Sequence, residues 1–322
     1  MTTLLDDAQT HRSAATLTTP AQRLRATMAA VRVSFTWMGT KKTLSPEQRA
    51  QAAETFDAEG QFLSAGKKLL DTKHTAFRAV TAVRGKIEAY WKGLTLPFPE
   101  PGVRLIKQSE IDEFTAQMTD FRTELDDAVR ALDDHYFELR SAAARRLGSL
   151  YNPADYPETL VGLFGVAWDF PNAEPPDYLV HLNQALYEQE SARVAARFQE
   201  AVQLAEQAFL EEFGRLVAHL TERVADDGGQ SKVFRDSVVS NLTEFFDRFR
   251  SLNLRSNAQL DELVAQAQRV VRGTSAQALR DSTELRQQVV GQLARVQSSL
   301  DALLVDRPRR RILRLVVTPE GS

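Results

Sequence analysis

Apolar residues recur at steps of three and four over the last two thirds of the chain, and no other feature limits its possible folds so tightly. Between 109 and 147, Ile111, Phe114, Met118, Phe121, Leu125, Val129, Leu132, Tyr136, Leu139, Ala143 and Leu147 form one such stripe. This spacing sets every apolar side chain on one face of an α-helix. It predicts a single helix of about 38 residues, about 57 Å long at 1.5 Å per residue. Gly148 and Asn152-Pro153 end it. A second seam, with Asp177 as its cap, runs through Val194, Phe198, Val202, Ala205, Phe209, Leu216 and Leu220 to Gly228-Gly229. A third carries Phe234, Val238, Leu242, Phe245, Phe249 and Leu252. A shorter one passes Leu260, Val264, Ala267 and Val271 to Gly273, and a last one runs from Leu285 through Val289, Leu293, Val296 and Leu300 to Leu303. Short glycine-rich connectors make neighbouring helices double back. The expected fold is mainly α: an elongated antiparallel helical bundle, or coiled-coil hairpins.

The first hundred residues read differently. Val31, Val33, Phe35 and Trp37 alternate with Arg32, Ser34 and Thr36, the period of a strand, and Gly39 ends the run. Leu313, Leu315 and Val317 alternate in the same way before Pro319, so a small β element formed near both termini is expected. Ser45-Pro46-Glu47-Gln48 has the residues of a helix start: a serine cap, then proline at the first helical position. A second start falls at Asp71, and Leu96-Pro97-Phe98-Pro99-Glu100-Pro101-Gly102 breaks regular structure before a short strand at 103–106. The segment 151–176, rich in proline and aromatics, is expected to be irregular with one short helix. The expected domains are a disordered lead-in over 1–19, a small α(+β) region over 20–106, a long-helix bundle over 107–306, and a basic strand or tail over 307–322.

Several functional classes drop out on composition. There is no cysteine among the 322 residues, which excludes disulfides, thiolate metal sites, iron–sulfur clusters and a cysteine nucleophile. The formal charge of -3 gives no global attraction to nucleic acid or anionic membranes. The N-terminal segment lacks the basic start and apolar core of a secretory signal, and the most apolar run, at 160–168, is far shorter than the ~20 residues of a membrane span. A cytoplasmic protein is the expectation.

Catalytic motifs are equally sparse. The stretch 60–68 has five residues between its glycines and Lys68 where a phosphate loop needs a hydroxyl, so an ordinary turn is expected there. His135 with Glu138, and His219 with Glu222, each share a helix face, but di-iron bundles use the reverse order plus two further glutamates. Solvated faces account for both pairs. No nucleophile elbow, zinc helix or dinucleotide fingerprint occurs, and no metal or cofactor is implied. The densest charge cluster is Arg307, Arg309, Arg310, Arg311 and Arg314, which suits either phosphates or an acidic partner, or else protects a strand edge. The apolar segment 160–168 reads as a cap over the bundle end, with a membrane-inserting tongue as the sharper alternative.

Trp37-x-Gly39, Ser64-x-Gly66-Lys67-Lys68-Leu69-x-Asp71 and the Leu96-Pro97-Phe98 loop together resemble an uncharacterised family of bacterial and phage helical proteins, catalogued as a domain of unknown function. The resemblance is clearest over about residues 30–150. Members of that family tend to be encoded beside a MoxR-type AAA+ ATPase and a von Willebrand A-type protein. The resemblance therefore implies a third component, an adaptor, substrate or scaffold, and carries over no catalytic residue. On this reading the chain is a non-enzymatic interaction protein, with Trp37, Gly39, Gly66, Lys67, Lys68 and the arginines 307–314 as exposed partner contacts. The alternatives are a nucleic-acid-associated phage or plasmid protein using the C-terminal arginines, and a helical pore-former using 160–168. Homo-oligomerisation is compatible with all three, since an apolar seam is filled equally well within one chain or between two.

Overall fold

The structure is a computed structural model and describes residues 19–225, 237–272, 278 and 282–305. It is mainly helical, with a small antiparallel sheet. The chain divides into two compact units. A sheet unit comprises Thr27–Leu96 and Glu100–Leu182; a helical unit takes the described residues before Thr27, Pro97–Pro99, and those from Asn183 onward.

In the helical unit, α1 (Pro20–Thr27) opens the described chain, and its Arg23 Nη2 donates to the Leu254 carbonyl at 2.7 Å. The rest follows α6 (Tyr178–Leu182), the last helix of the sheet unit: α7 (Gln184–Ala225), α8 (Ser237–Leu252), α9 (Ala258–Val271) and α10 (Thr283–Val305). The seams read from the sequence are buried in large part; Val202 and Leu216 are half-buried, and Phe234 lies outside the described residues. Val194, Phe198, Ala205, Phe209 and Leu220 of α7 are buried, as are Leu242, Phe245, Phe249 and Leu252 of α8. Phe209 meets Phe249 at 5.1 Å and Phe213 stacks on Phe245 at 5.2 Å, so α7 and α8 run antiparallel. Glu212 and Arg248 pair across the same joint. α10 packs on both α7 and α9. Phe98, from the proline loop, lies 5.5 Å from Phe198 under the Arg197 guanidinium.

The sheet unit runs β1 (Met28–Trp37), β2 (Lys41–Thr43), α2 (Pro46–Glu54), β3 (Gly66–Lys68), α3 (Thr75–Leu94), β4 (Thr95–Pro97), β5 (Val103–Lys107), α4 (Ile111–Asp134), α5 (Tyr136–Leu147), β6 (Phe164–Asp169) and α6 (Tyr178–Leu182). The order in its main sheet is β4-β5-β1-β6, with β1 antiparallel to β5 and to β6. The alternation read in β1 sets Val31, Val33, Phe35 and Trp37 on one face. There they join Phe164, Val166 and Trp168 of β6 and the buried faces of α3 and α4. α3 places Val80 and Ile87 in this core, and α4 places Phe114, Met118 and Leu125 there, all fully buried. The start of α2 is the expected one: Ser45 Oγ accepts from Gln48 N, and the Gln48 side chain closes the box on Ser45 N.

Four expectations need correction. The single helix over 109–147 is two, α4 and α5, parted at His135, whose φ of -93° and ψ of 0° leave the helical ladder. No proline or glycine marks this break. It coincides with a tertiary contact, because the Asp133 carboxylate accepts from Leu160 N at 2.7 Å and from Thr159 Oγ1 at 2.9 Å. The segment 151–176 is not wholly irregular, since β6 lies within it and pairs with β1 over six residues. With Phe164 and Val166 buried in the sheet's core face, the apolar run 160–168 is a packed strand and its leading turn, not a bundle cap. The boundary expected at 106/107 falls inside the sheet unit, because β5 pairs with β1 and α4 packs on α3. The C-terminal strand expected at Leu313, Leu315 and Val317 lies outside the described residues. No helix among the described residues is long and apolar enough to cross a membrane.

Candidate functional site

The residues singled out in the first half of the chain converge on one corner of the sheet unit. After Trp37 ends β1, the chain passes Gly39 and enters a second, two-stranded sheet, β2 against β3. The register pairs Lys41 with Lys68, Lys42 with Lys67, and Thr43 with Gly66. Leu69 N donates to the Thr40 carbonyl at 2.8 Å, and Leu44 N to the Ala65 carbonyl at 3.1 Å, which extends the ladder at both ends. Gly66 is here for close approach: a Cβ would sit 3.2 Å from the Lys42 carbonyl oxygen.

Facing lysines on adjacent strands repel, and this ladder has two such pairs. Side chains alternate between faces along a strand, so the two pairs point to opposite sides. The inner pair is neutralised by one carboxylate. Lys42 Nζ lies 2.5 Å from Asp155 Oδ1 and Lys67 Nζ 2.6 Å from Asp155 Oδ2, while Lys67 also donates to the Leu150 carbonyl at 2.6 Å. The side chains of Lys67 and Asp155 are 5% and 3% exposed. Hydrogen bonds from Lys42 and then Lys67 hold the Asp155 carboxyl below its usual range. Asn152 shapes the turn that presents it, with its Oδ1 accepting from Ala154 N at 3.0 Å. A second bridge stands beside the first: Asp71 Oδ1 accepts from Lys73 N at 3.0 Å and Arg146 donates to Asp71 Oδ2 at 2.9 Å, which lowers the Asp71 carboxyl too.

The outer pair, Lys41 and Lys68, is exposed, and neither has an acidic partner among the described residues. Between β2 and β3 the chain makes a flap of α2 and a short 3-10 turn at Gly60–Phe62. The flap carries two phenylalanines that are almost wholly in solvent, Phe56 at 76% and Phe62 at 83%. From the Lys41–Lys68 rung to its root at Leu44–Ala65 is three residues, about 10 Å. The corner therefore offers two exposed lysines on one rung and, at the far end of the same hairpin, two exposed aromatic rings.

Two of the expected contacts are not exposed. Lys67 is buried in the ion pair with Asp155, because an ammonium group at that rung has a carboxylate and a carbonyl within reach. Trp37 is partly buried against the core, edge-on to Phe164 at 4.9 Å with the Arg84 guanidinium 4.8 Å over its ring. Gly39 and Gly66 are exposed, as is Lys68. Arg307, Arg309, Arg310, Arg311 and Arg314 lie outside the described residues. Lys41, Lys42, Asp155, Phe56 and Phe62 were not read from the sequence. The one signal available was the pair of Lys-Lys dipeptides at 41–42 and 67–68, whose facing register depends on the fold.

His135 Nδ1 is 3.9 Å from Glu138 with both side chains largely exposed, and no group of three or more metal-ligating side chains occurs among the described residues. Tyr136 is buried and its phenol is pushed up to about 12, chiefly by desolvation. Comparison of the chain with family models, with curated proteins and with solved structures gave no match.

Proposed function

We propose that this chain is an interaction protein that engages an acidic surface of a protein partner through the outward face of the β2–β3 hairpin. The observation behind this reading is the Lys41–Lys68 rung, two exposed like charges held opposite each other on a ladder pinned from behind by Asp155. Like charges directly opposite one another on adjacent strands are destabilising in the free protein. A partner carboxylate placed between the two ammonium groups removes that repulsion and gains charge-assisted hydrogen bonds. Phe56 and Phe62 supply apolar area of the kind that anchors interfaces around such contacts. The AAA+ ATPase and von Willebrand A-type protein implied by the family resemblance are the first partners to test.

The experiment is capture of those partners, with and without ATP, by the wild-type chain and by a Lys41→Glu, Lys68→Glu double variant. Both positions are exposed, so circular dichroism should be unchanged. Capture is expected to fall at least about tenfold, the equivalent of 1.4 kcal/mol. Undiminished capture by the double variant would remove the hairpin from the interface.

A further inference from the structure

β6 lies at the edge of the main sheet, with β1 on one side and no described strand on the other. An open edge presents unpaired backbone N–H and C=O groups, and natural sheets blunt it with lysine, proline, a bulge or a very short strand. β6 uses none of these. It pairs with β1 over six consecutive residues without a bulge, and its sequence Phe-Gly-Val-Ala-Trp is uncharged up to Asp169, which Arg32 holds at 2.7 and 3.0 Å. The two faces of the strand also differ. Phe164, Val166 and Trp168 lie on the side of Phe35 and Trp37, while Gly165 and Ala167 lie beside Thr36 and Ser34 on a flat face. Phe170, one residue beyond the strand, is 40% exposed.

We propose that this edge joins two copies of the chain, β6 pairing antiparallel with β6 about a two-fold axis so that the two sheets become one. The axis stands perpendicular to the sheet and keeps each face on its own side, so a residue can meet only residues of its own face. With Ala167 opposite Ala167 on the axis, Val166 meets Trp168, Phe164 meets Phe170, and Gly165 meets Asp169. Aromatic and β-branched residues fill the core face, small residues lie opposite one another at the centre of the other face, and no like charges meet. Arg122 of α4 sits 5.1 Å over the Trp168 ring, and Asp126, one turn on along the same helix, is exposed, so the helix beside this edge carries both signs of charge. A closed two-fold interface needs this self-complementarity. A charged foreign peptide would find no complementary charge between Phe164 and Trp168. The inference is independent of the hairpin, which lies on other strands.

The cysteine-free chain makes the test direct. Directly opposite Cα atoms on antiparallel strands are about 4.5–5.5 Å apart, inside the ~4.4–6.8 Å range of a disulfide. Ala167→Cys should give a covalent dimer with oxidised glutathione, much faster than the exposed control Ser149→Cys. Ala167→Lys sets two ammonium groups face to face across the axis at an exposed position. It should turn a dimer into a monomer in light scattering while leaving the circular dichroism intact. A wild-type monomer across the micromolar range, crosslinking no faster than the control, or a dimer that survives Ala167→Lys would each overturn the proposal. Lys41→Glu, Lys68→Glu should remain dimeric, so a failed dimer and a failed hairpin interface are told apart.

Discussion

The helical unit and the sheet unit both bury an apolar core, but they hold their tertiary joints with different chemistry. Where α7 meets α8 the joint is a run of phenylalanines, Phe209, Phe213, Phe245 and Phe249, with the Glu212–Arg248 ion pair beside it. Around the hairpin of the sheet unit the joints are polar: Asp155 with two lysines, Asp71 with Arg146, and Asp133 with the backbone at Leu160. Apolar contact is non-directional and insensitive to protons, whereas an ion pair is directional, titratable and costly to leave half-made. The helical unit should therefore tolerate acid and be sensitive chiefly to loss of volume, while the hairpin corner should tolerate small changes of volume and respond to charge.

The largest effect tests the apolar side of this contrast. Phe213 is fully buried and stacked on Phe245. Phe213→Ala removes its ring and leaves a cavity, at an expected cost of about 3–5 kcal/mol in denaturant unfolding. Hydrogen exchange should accelerate along α7–α10 and stay unchanged in β1, β5 and β6. Faster exchange throughout the chain would mean that the units do not unfold separately.

Next comes the charged side. Asp155→Ala strands the Lys67 ammonium in a buried position with only the Leu150 carbonyl, and the expected cost is about 3 kcal/mol. The wild type should show the same dependence on pH. The carboxyls of Asp155 and Asp71 are lowered in the folded chain, so their contribution is complete above the unfolded aspartate value of about 4. It is lost as pH falls through the lower folded values. Amides of β2 and β3 should lose protection across that acid window before those of α8 and α9 do, and simultaneous loss would break the comparison.

The same contrast explains what could be read from the sequence. A helix reports itself locally, because residues one turn apart share a face, and so most positions of the seams Val194 to Leu220 and Leu242 to Leu252 are found buried. The cap at Ser45-Pro46 and the alternation in β1 are local for the same reason. The hairpin corner is not local. Lys42 and Asp155 are 113 residues apart, Lys67 and Leu150 are 83 apart, and Asp71 and Arg146 are 75 apart, and no spacing rule links them. That is why Lys67 reads as an exposed contact in the sequence and is buried in the fold. It is also why the helix from 109 to 147 reads as unbroken, since its break at His135 accompanies a bond made by Asp133 to a loop 27 residues on. β6 escaped because six residues with one glycine give too short an alternation to stand out beside the prolines that follow.

The smallest effect isolates what a local signal contributes when tertiary burial differs. Ser45 and Asn257 are caps of the same kind, each accepting a hydrogen bond from the backbone N–H three residues on, at 3.2 and 3.0 Å. Removing either by substitution with alanine costs a helix about 1 kcal/mol. The helices behind them are unlike. α9 buries Leu260, Val264, Ala267 and Val271, whereas α2 buries only Ala53 and stands on a flap. Loss of the cap is felt globally only if the helix unfolds together with its unit. Asn257→Ala is expected to lower the unfolding free energy of the helical unit by the full amount. Ser45→Ala should leave the global transition in place and raise exchange only over 46–54. If Ser45→Ala shifts the global midpoint as far as Asn257→Ala does, the flap is part of the cooperative core of the sheet unit, and Phe56 and Phe62 are held at fixed positions rather than carried on a separable arm.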